Sequence, residues 1–247
     1  MRELKITKYN ESYIKCTSQD LGLLQELSEF FTFKVPGASF MPSVRAKRWD
    51  GQIRLFSKAT GKLYYGLLPY VEHFIENSGG TIIREGLENP ASVALSDGFS
   101  KFASQNINNS IKIRDYQLSA FSHAINNKRC ILLSPTASGK SAIIYAIVRY
   151  LQLSSVNVLI IVPTTSLVEQ MASDFISYGW DDSHIHKIYS GHDKVSTKPI
   201  TISTWQSIYK ENKKFFKRYQ CVIGDEAHLF KAKSLTGIMT KLEDCPY

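Results

Sequence analysis

The sequence predicts an α/β protein: a doubly wound parallel sheet with a phosphate-binding loop (P-loop), preceded by a small α+β domain. Three observations carry this. In the second half, apolar runs at 129–134, 157–162, 199–203 and 219–225 alternate with longer stretches of helical period. Such runs fit strands buried on both faces of a parallel sheet. The stretch LLSPTASGKSAII, residues 132–144, sets Gly139-Lys140-Ser141 between the first run and a helical face made by Ala142, Ile143, Ala146, Ile147 and Tyr150. Finally, CVIGDEAH, residues 221–228, puts Asp225 and Glu226 at the end of the last run.

From the N-terminus, residues 4–6 and 13–15 read as short strands. Leu21, Leu24, Leu27 and Phe30/Phe31 form the apolar stripe of a helix. Residues 52–56 and 62–65, joined by Ser-Lys-Ala-Thr-Gly, read as a hairpin. Residues 67–78 read as a second helix, stopped by Gly79-Gly80, with a strand at 81–84. The polar run SQNINNS, residues 104–110, is the expected linker. The expected division is therefore a module over 1–103 and a larger domain over 111–247. In that domain Leu167, Met171 and Phe175 mark a second helical face.

Composition narrows the class. Hydrophobic residues make up 43% of 247, enough for a globular core. No apolar run approaches the roughly 20 residues that span a bilayer, and no signal-peptide core precedes the first strand. The four cysteines are far apart and form no CxxC, so neither a zinc site nor a disulfide frame is suggested. The expectation is a cytoplasmic chain without membrane contact. Its formal net charge is +8. Residues 109–247 hold most of that excess, with 17 Lys/Arg against 11 Asp/Glu. The balance favours a polyanionic partner such as nucleic acid.

The loop lacks the first glycine of the usual pattern and has Ser134-Pro135 there. The chemistry it must do needs little. Backbone N–H groups at a helix N-terminus face the phosphates. Lys140 reaches the outer phosphates, and the Ser141 hydroxyl ligates Mg²⁺. Asp225 and Glu226 follow 85 and 86 residues after Lys140, at the carboxyl end of a strand, where ligands of such sheets bind. Asp225 can complete the Mg²⁺ shell and Glu226 can accept a proton from an attacking water. Taken alone, DEAH also fits the acidic first turn of a solvated helix.

Together SPTASGKS, DEAH and the upstream RDYQ resemble motifs I, II and Q of superfamily 2 helicases. VPTTSLVEQM, residues 162–171, resembles motif Ia, and STWQ, residues 203–206, resembles the TYQ-like element after the next strand. Ala137 departs from the family by replacing its usual glycine. The elements RWDGQIRL, LIIVPTTSL and TWQS extend the likeness over nearly the whole chain, to the recombination and repair helicases of tailed bacteriophages. The resemblance implies a RecA-like ATPase lobe using ATP and Mg²⁺. It makes Gln117 the adenine reader with Arg114 beside it. Thr136, Ala137, Ser138 and Gly139 line the phosphates with Lys140 and Ser141. Pro163, Thr164, Thr204, Trp205 and Gln206 touch the nucleic acid, and His228 couples the two sites. The implied partners are branched or junction DNA and RNA–DNA hybrids, bound by a monomer. It also implies a second RecA-like lobe carrying arginine fingers, which these residues do not contain. The expectation is the N-terminal portion of a longer motor, or a short protein with the same start. Two other readings remain open: the motor part of another DNA translocase such as a restriction-enzyme subunit, and a non-enzymatic DNA-binding module with a vestigial nucleotide site.

Residues 40–62 hold Arg45, Lys47, Arg48, Arg54, Lys58 and Lys62 against the single acid Asp50, with Phe40, Trp49 and Phe56 among them. Basic groups neutralise phosphates and aromatics stack on unpaired bases. Arg45, Lys47, Arg48 and Arg54 are the expected DNA contacts. Trp49 fits either the module's core or a base-stacking position. A second basic run, KENKKFFKR at 210–218, reads first as a solvated helix face. His184, His186 and His192 fall in an expected loop, with nothing to mark them as ligands.

Overall fold

The computed structural model of the chain describes residues 2–87, 96–107, 111–135 and 137–247. The chain divides into two compact units, Met1–Asn89 and Pro90–Tyr247.

The first unit contains β1 (Glu3–Lys8), β2 (Tyr13–Thr17), α1 (Leu21–Phe30), β3 (Thr32–Lys34), α2 (Pro42–Arg45), β4 (Gln52–Arg54), β5 (Lys62–Tyr64), α3 (Leu68–Asn77) and β6 (Thr81–Glu85). Four strands form a sheet in the order β5-β2-β1-β6, antiparallel except for β1 against β6. Alternation decides its faces. Leu4, Ile6, Ile14, Cys16 and Leu63 point to one side and are buried there with Leu23 and Leu27 of α1 and Val71 and Ile75 of α3. Asp20 starts α1 by accepting a hydrogen bond from the Leu23 amide at 3.0 Å.

The expected hairpin between residues 52–56 and 62–65 does not form as such. β4 pairs with β3, with Phe33 opposite Ile53, and β5 pairs with β2. Only a single bridge, Ser57 to Lys62, joins the two runs. The turn between them closes tightly, the Gly61 amide donating to Ser57 O at 2.7 Å. Beyond it Phe56 and Leu63 both turn into the core, so the strands part to cover different neighbours.

The second unit contains α4 (Ser96–Asn106), α5 (Asp115–Asn127), α6 (Lys140–Gln152), β7 (Val158–Val162), α7 (Thr165–Ser177), β8 (Ile185–Ile188), β9 (Ile200–Thr204), α8 (Trp205–Ile208), α9 (Lys213–Phe216), β10 (Cys221–Gly224) and α10 (Lys233–Lys241). The sheet is parallel throughout, in the order β10-β7-β9-β8. Every residue of β7 and β9 is buried. Val158, Ile160 and Val162 face α5, α6 and α7, whereas Leu159 and Ile161 face Ile208, Phe216, Leu235 and Ile238 of α8, α9 and α10. This is the predicted doubly wound, three-layer α/β architecture. No described helix is long and apolar enough to cross a membrane.

Three expectations are corrected. Residues 129–134 are not a strand: Ile131 is 82% and Leu133 100% exposed. The outer edge of β10, where a neighbouring strand would pair, is taken instead by Tyr247. Its carbonyl accepts from the Val222 amide and its amide donates to Gln220 O, both at 3.1 Å. The expected linker 104–110 overlaps helix α4, and Ile107 is buried in the second unit's core together with Phe102, which stacks on Phe121 at 5.8 Å. The polar sequence there hides those two apolar anchors; residues 108–110 lie outside the described set. His186 lies on β8 rather than in a loop.

Candidate functional site

The loop before α6 turns through two left-handed residues, Ala137 (φ 63°) and Gly139 (φ 76°). At Gly139 a Cβ would stand 2.5 Å from Gln117 Nε2, so only glycine lets the loop pass this close to α5. Ala137 holds its conformation against a cost of roughly 1–2 kcal/mol for a left-handed residue with a side chain. Ser134, which replaces the usual first glycine, pairs its hydroxyl with that of Ser138. The Ser138 hydroxyl donates to Pro135 O at 2.7 Å. Two serines thus close the turn that glycine closes elsewhere. Thr136 lies outside the described residues.

Gln117 is 6% exposed and both ends of its amide are engaged. Its Oε1 accepts from the Arg114 amide at 3.0 Å, and its Nε2 donates to Ser138 O at 2.9 Å. The Tyr116 hydroxyl donates to the same carbonyl at 2.9 Å and accepts from Arg114 Nη1 at 3.1 Å. Arg114 and Gln117, expected at the adenine, here join Tyr116 in clasping the loop.

Lys140 opens α6, and its Nζ lies 3.5 Å from Glu226 Oε1. β10 carries the acid to it. The Asp225 amide donates to Ile161 O at 2.9 Å and continues the ladder, while Asp225 Oδ1 accepts from the Glu226 amide at 3.0 Å. Glu226 itself is left-handed, with φ 55°. Non-glycine residues held there cost energy and cluster at functional sites. His228 Nδ1 stands 3.3 Å from Glu226 Oε2. Lys140, Asp225, Glu226 and His228 line one cavity of about 440 Å³, along with Ser134 and Leu133.

Ser141 has a neighbour that the sequence did not reveal. Its hydroxyl lies 3.2 Å from the Tyr178 hydroxyl, at the end of α7. Tyr145 steadies Tyr178 by donating its own hydroxyl to Tyr178 O at 2.7 Å. Burial pushes the Tyr145 phenol above its ordinary value, keeping it a donor. Tyr116 stood in the quoted RDYQ, but nothing local marks Tyr178 or Tyr145.

The candidate nucleic-acid residues of this unit gather at the carboxyl ends of β7 and β9. Thr164 caps α7, accepting from the Leu167 amide at 3.3 Å. Gln206 Nε2 donates to Pro163 O at 3.3 Å and ties the two segments together. Thr204 is only 4% exposed, and its hydroxyl is 2.8 Å from that of Ser207. In the first unit Arg45, Lys47 and Arg48 are exposed, whereas Arg54 is ion-paired with Asp50, whose carboxyl it holds below the usual range. Trp49 is half-buried outside the apolar core and donates its indole N–H to Gln52 O at 2.9 Å. Among the described residues no His/Cys/Asp/Glu group of three or more gathers as a metal cage.

The acidic turn depends on Gly224. A Cβ there would stand 2.3 Å from Phe230 Cζ. The strand cannot retreat, because Gly224 is held opposite Ile161 of β7. Gly224→Ala therefore displaces the Phe230 ring or the 225–228 turn, at about 1–3 kcal/mol of overpacking. The expected result is a melting temperature lower by roughly 2–12 °C. Unchanged melting would show that the ring yields freely.

A strained loop running into a helix, set against an acid pair at the end of a parallel strand, defines the RecA-like lobe of the P-loop ATPases. Comparison with known proteins carries this further. Residues 110–246 match the family described as "Type III restriction enzyme, res subunit", and residues 2–84 match "DNA helicase UvsW, N-terminal". The chain is 31% identical over 255 residues to the ATP-dependent DNA helicase uvsW of Enterobacteria phage T4, covering 99% of this chain and 50% of that protein. It is 32% identical over 141 residues to the DNA 3'-5' translocase XPB2 of Sulfurisphaera tokodaii, covering 57% of this chain and 30% of that one. Two solved structures of T4 UvsW superpose with TM-scores of 0.86 and 0.84 at 30% identity, each over 99% of this chain and over 51% and 90% of theirs. The chain belongs to the UvsW family of superfamily 2 helicases. It spans about half the length of the helicase sequence it matches.

Proposed function

We propose that the chain is the N-terminal module and first RecA-like lobe of an ATP-dependent motor. That motor unwinds or branch-migrates branched DNA and RNA–DNA hybrids in recombination, repair and replication control, as a cytoplasmic monomer. The observation that carries this is the 3.5 Å approach of Lys140 to Glu226, which joins the loop to the acid pair.

The donor set fits Mg–ATP. The loop runs into the N-terminus of α6, the positive end of the helix, where backbone N–H groups bind anions. Lys140 would hold the outer phosphates, Ser141 and Asp225 the Mg²⁺, and Arg114 and Gln117 the base once the clasp on Ser138 is released. The nucleotide supplies a phosphoanhydride whose cleavage drives the motor. Glu226 orients water and takes its proton, and its contact with His228 links this acid to the nucleic-acid side.

On that side Arg45, Lys47 and Arg48 contact phosphates, joined by Arg54 when Asp50 gives it up. Pro163, Thr164, Trp205 and Gln206 track the backbone on the lobe, and buried Thr204 supports them. The likeness to the restriction-enzyme subunit favours a second reading, the motor of another translocase. Binding to a fork, a four-way junction, an RNA–DNA hybrid and a plain duplex separates the two: the first reading requires preference for the branched and hybrid substrates. Neutralising Arg45, Lys47, Arg48 and Arg54 together should weaken binding to all of them. It should also flatten the salt dependence by roughly one unit of slope per lost phosphate contact. An unchanged slope would make these residues an ordinary solvated face.

A further inference from the structure

The four-stranded sheet of the first unit has a second face that the two helices do not pack on. The alternation that buries Leu4, Ile6, Ile14, Cys16 and Leu63 turns Lys5, Tyr13, Lys15, Lys62 and Tyr64 the other way. Tyr13 and Tyr64 are directly opposed across β2 and β5, and their rings stack at 5.0 Å and 29°. Tyr9, at the turn after β1, folds its ring beneath Lys62 Nζ, 3.8 Å from the ring centroid. Tyr64 is 48% and Tyr9 54% exposed.

A cross-strand aromatic pair stabilises a sheet, but that needs neither a third ring nor a lysine set over that ring. The chemistry of this face is specific. Flat π-surfaces accept bases of any sequence, and ammonium groups on the same face accept the connecting phosphates. Lys5 is already held by Glu85 at 2.8 Å and Lys62 rests on the Tyr9 ring, so Lys15 is the first phosphate group of this face and Lys62 the second once a base takes its place over Tyr9. A four-stranded sheet presenting aromatics to unpaired bases is a recurring solution to single-strand recognition.

We propose that this tyrosine–lysine face, built from Tyr9, Tyr13, Tyr64, Lys15 and Lys62, binds single-stranded DNA by stacking its bases. The site shares no residue with the basic segment 45–54 and does not depend on the nucleotide site, so it stands or falls apart from the proposed motor activity.

The test uses the full chain, with fluorescence anisotropy of a labelled 20-nucleotide oligo-dT and a 20-base-pair duplex. Tyr64→Ala and Tyr9→Ala are each expected to weaken oligo-dT binding by roughly 5- to 100-fold, the range of single-ring losses in stacking sites. The salt slope should stay unchanged, and duplex binding should hold. Tyr64→Phe keeps the ring and should restore binding. Lys15→Gln with Lys62→Gln should flatten the oligo-dT salt slope instead. Tyr9 lies outside the ladder, so its variant tests the idea even if Tyr64→Ala fails to fold. Wild-type oligo-dT affinity in Tyr9→Ala, or an equal loss on duplex, overturns the proposal.

Discussion

Lys140→Ala abolishes binding of Mg–ADP and Mg–ATP by calorimetry. The ammonium is the only cation that α6 presents in its first turn at the mouth of the loop. Its loss removes charge-assisted bonds to the phosphates worth about 3 kcal/mol or more together, on the order of a hundredfold in affinity. The fold should not suffer. Lys140 and Glu226 are both more than a third exposed, and a pair at that exposure contributes little to stability. A variant that melts like the wild type yet fails to bind nucleotide is the expected outcome. Equal affinity in both proteins would remove the loop from the site.

Glu226→Gln separates binding from turnover. The amide keeps the shape and one hydrogen-bonding oxygen but cannot take a proton. In a protein that pairs this lobe with a second one, DNA-stimulated hydrolysis should fall by roughly 10²–10⁴, the usual contribution of a positioned base, with nucleotide affinity retained. A polypeptide of residues 1–247 alone should turn nucleotide over slowly even as wild type. In this superfamily the transition-state arginine comes from the second lobe, and such an arginine is worth about 10³–10⁵ in rate. Multiple turnovers per second by residues 1–247, or a Glu226→Gln enzyme that keeps its rate, would reassign the base.

What could be read in advance followed from local chemistry. β7 and β9 announce themselves as apolar runs because both of their faces are covered, and β10 keeps the same apolar run although only Cys221 of it is fully buried. The motif spacings anticipated that the loop lysine and the acid pair would meet, and Lys140 does stand 3.5 Å from Glu226; the phosphate role of these residues is part of the proposal. What escaped was set by distant partners. Residues 129–134 are as apolar as β10, yet a strand needs an edge, and Tyr247 occupies that edge. β4 lies 20 residues from β3 and was read against its nearer neighbour. Helix α4 was lost among polar residues, its burial resting on Phe102 and Ile107. The clasp of Tyr116 and Gln117 on Ser138, and the meeting of Ser141 with Tyr178, join residues 21 to 37 positions apart. No periodicity encodes such meetings.

Helix α7 runs from one group of candidate residues to the other. Its 13 residues make a rod about 20 Å long. One end is capped by Thr164, next to the Pro163–Gln206 tie. The other ends in Tyr178, against the Ser141 hydroxyl and beneath the Tyr145 bond. Between them Val168, Met171, Ala172 and Phe175 are buried in the core. Under the proposed motor reading, the threonine assigned to the nucleic acid and the hydroxyl assigned to the metal would stand at opposite ends of this one helix, so a displacement of either end would be felt at the other.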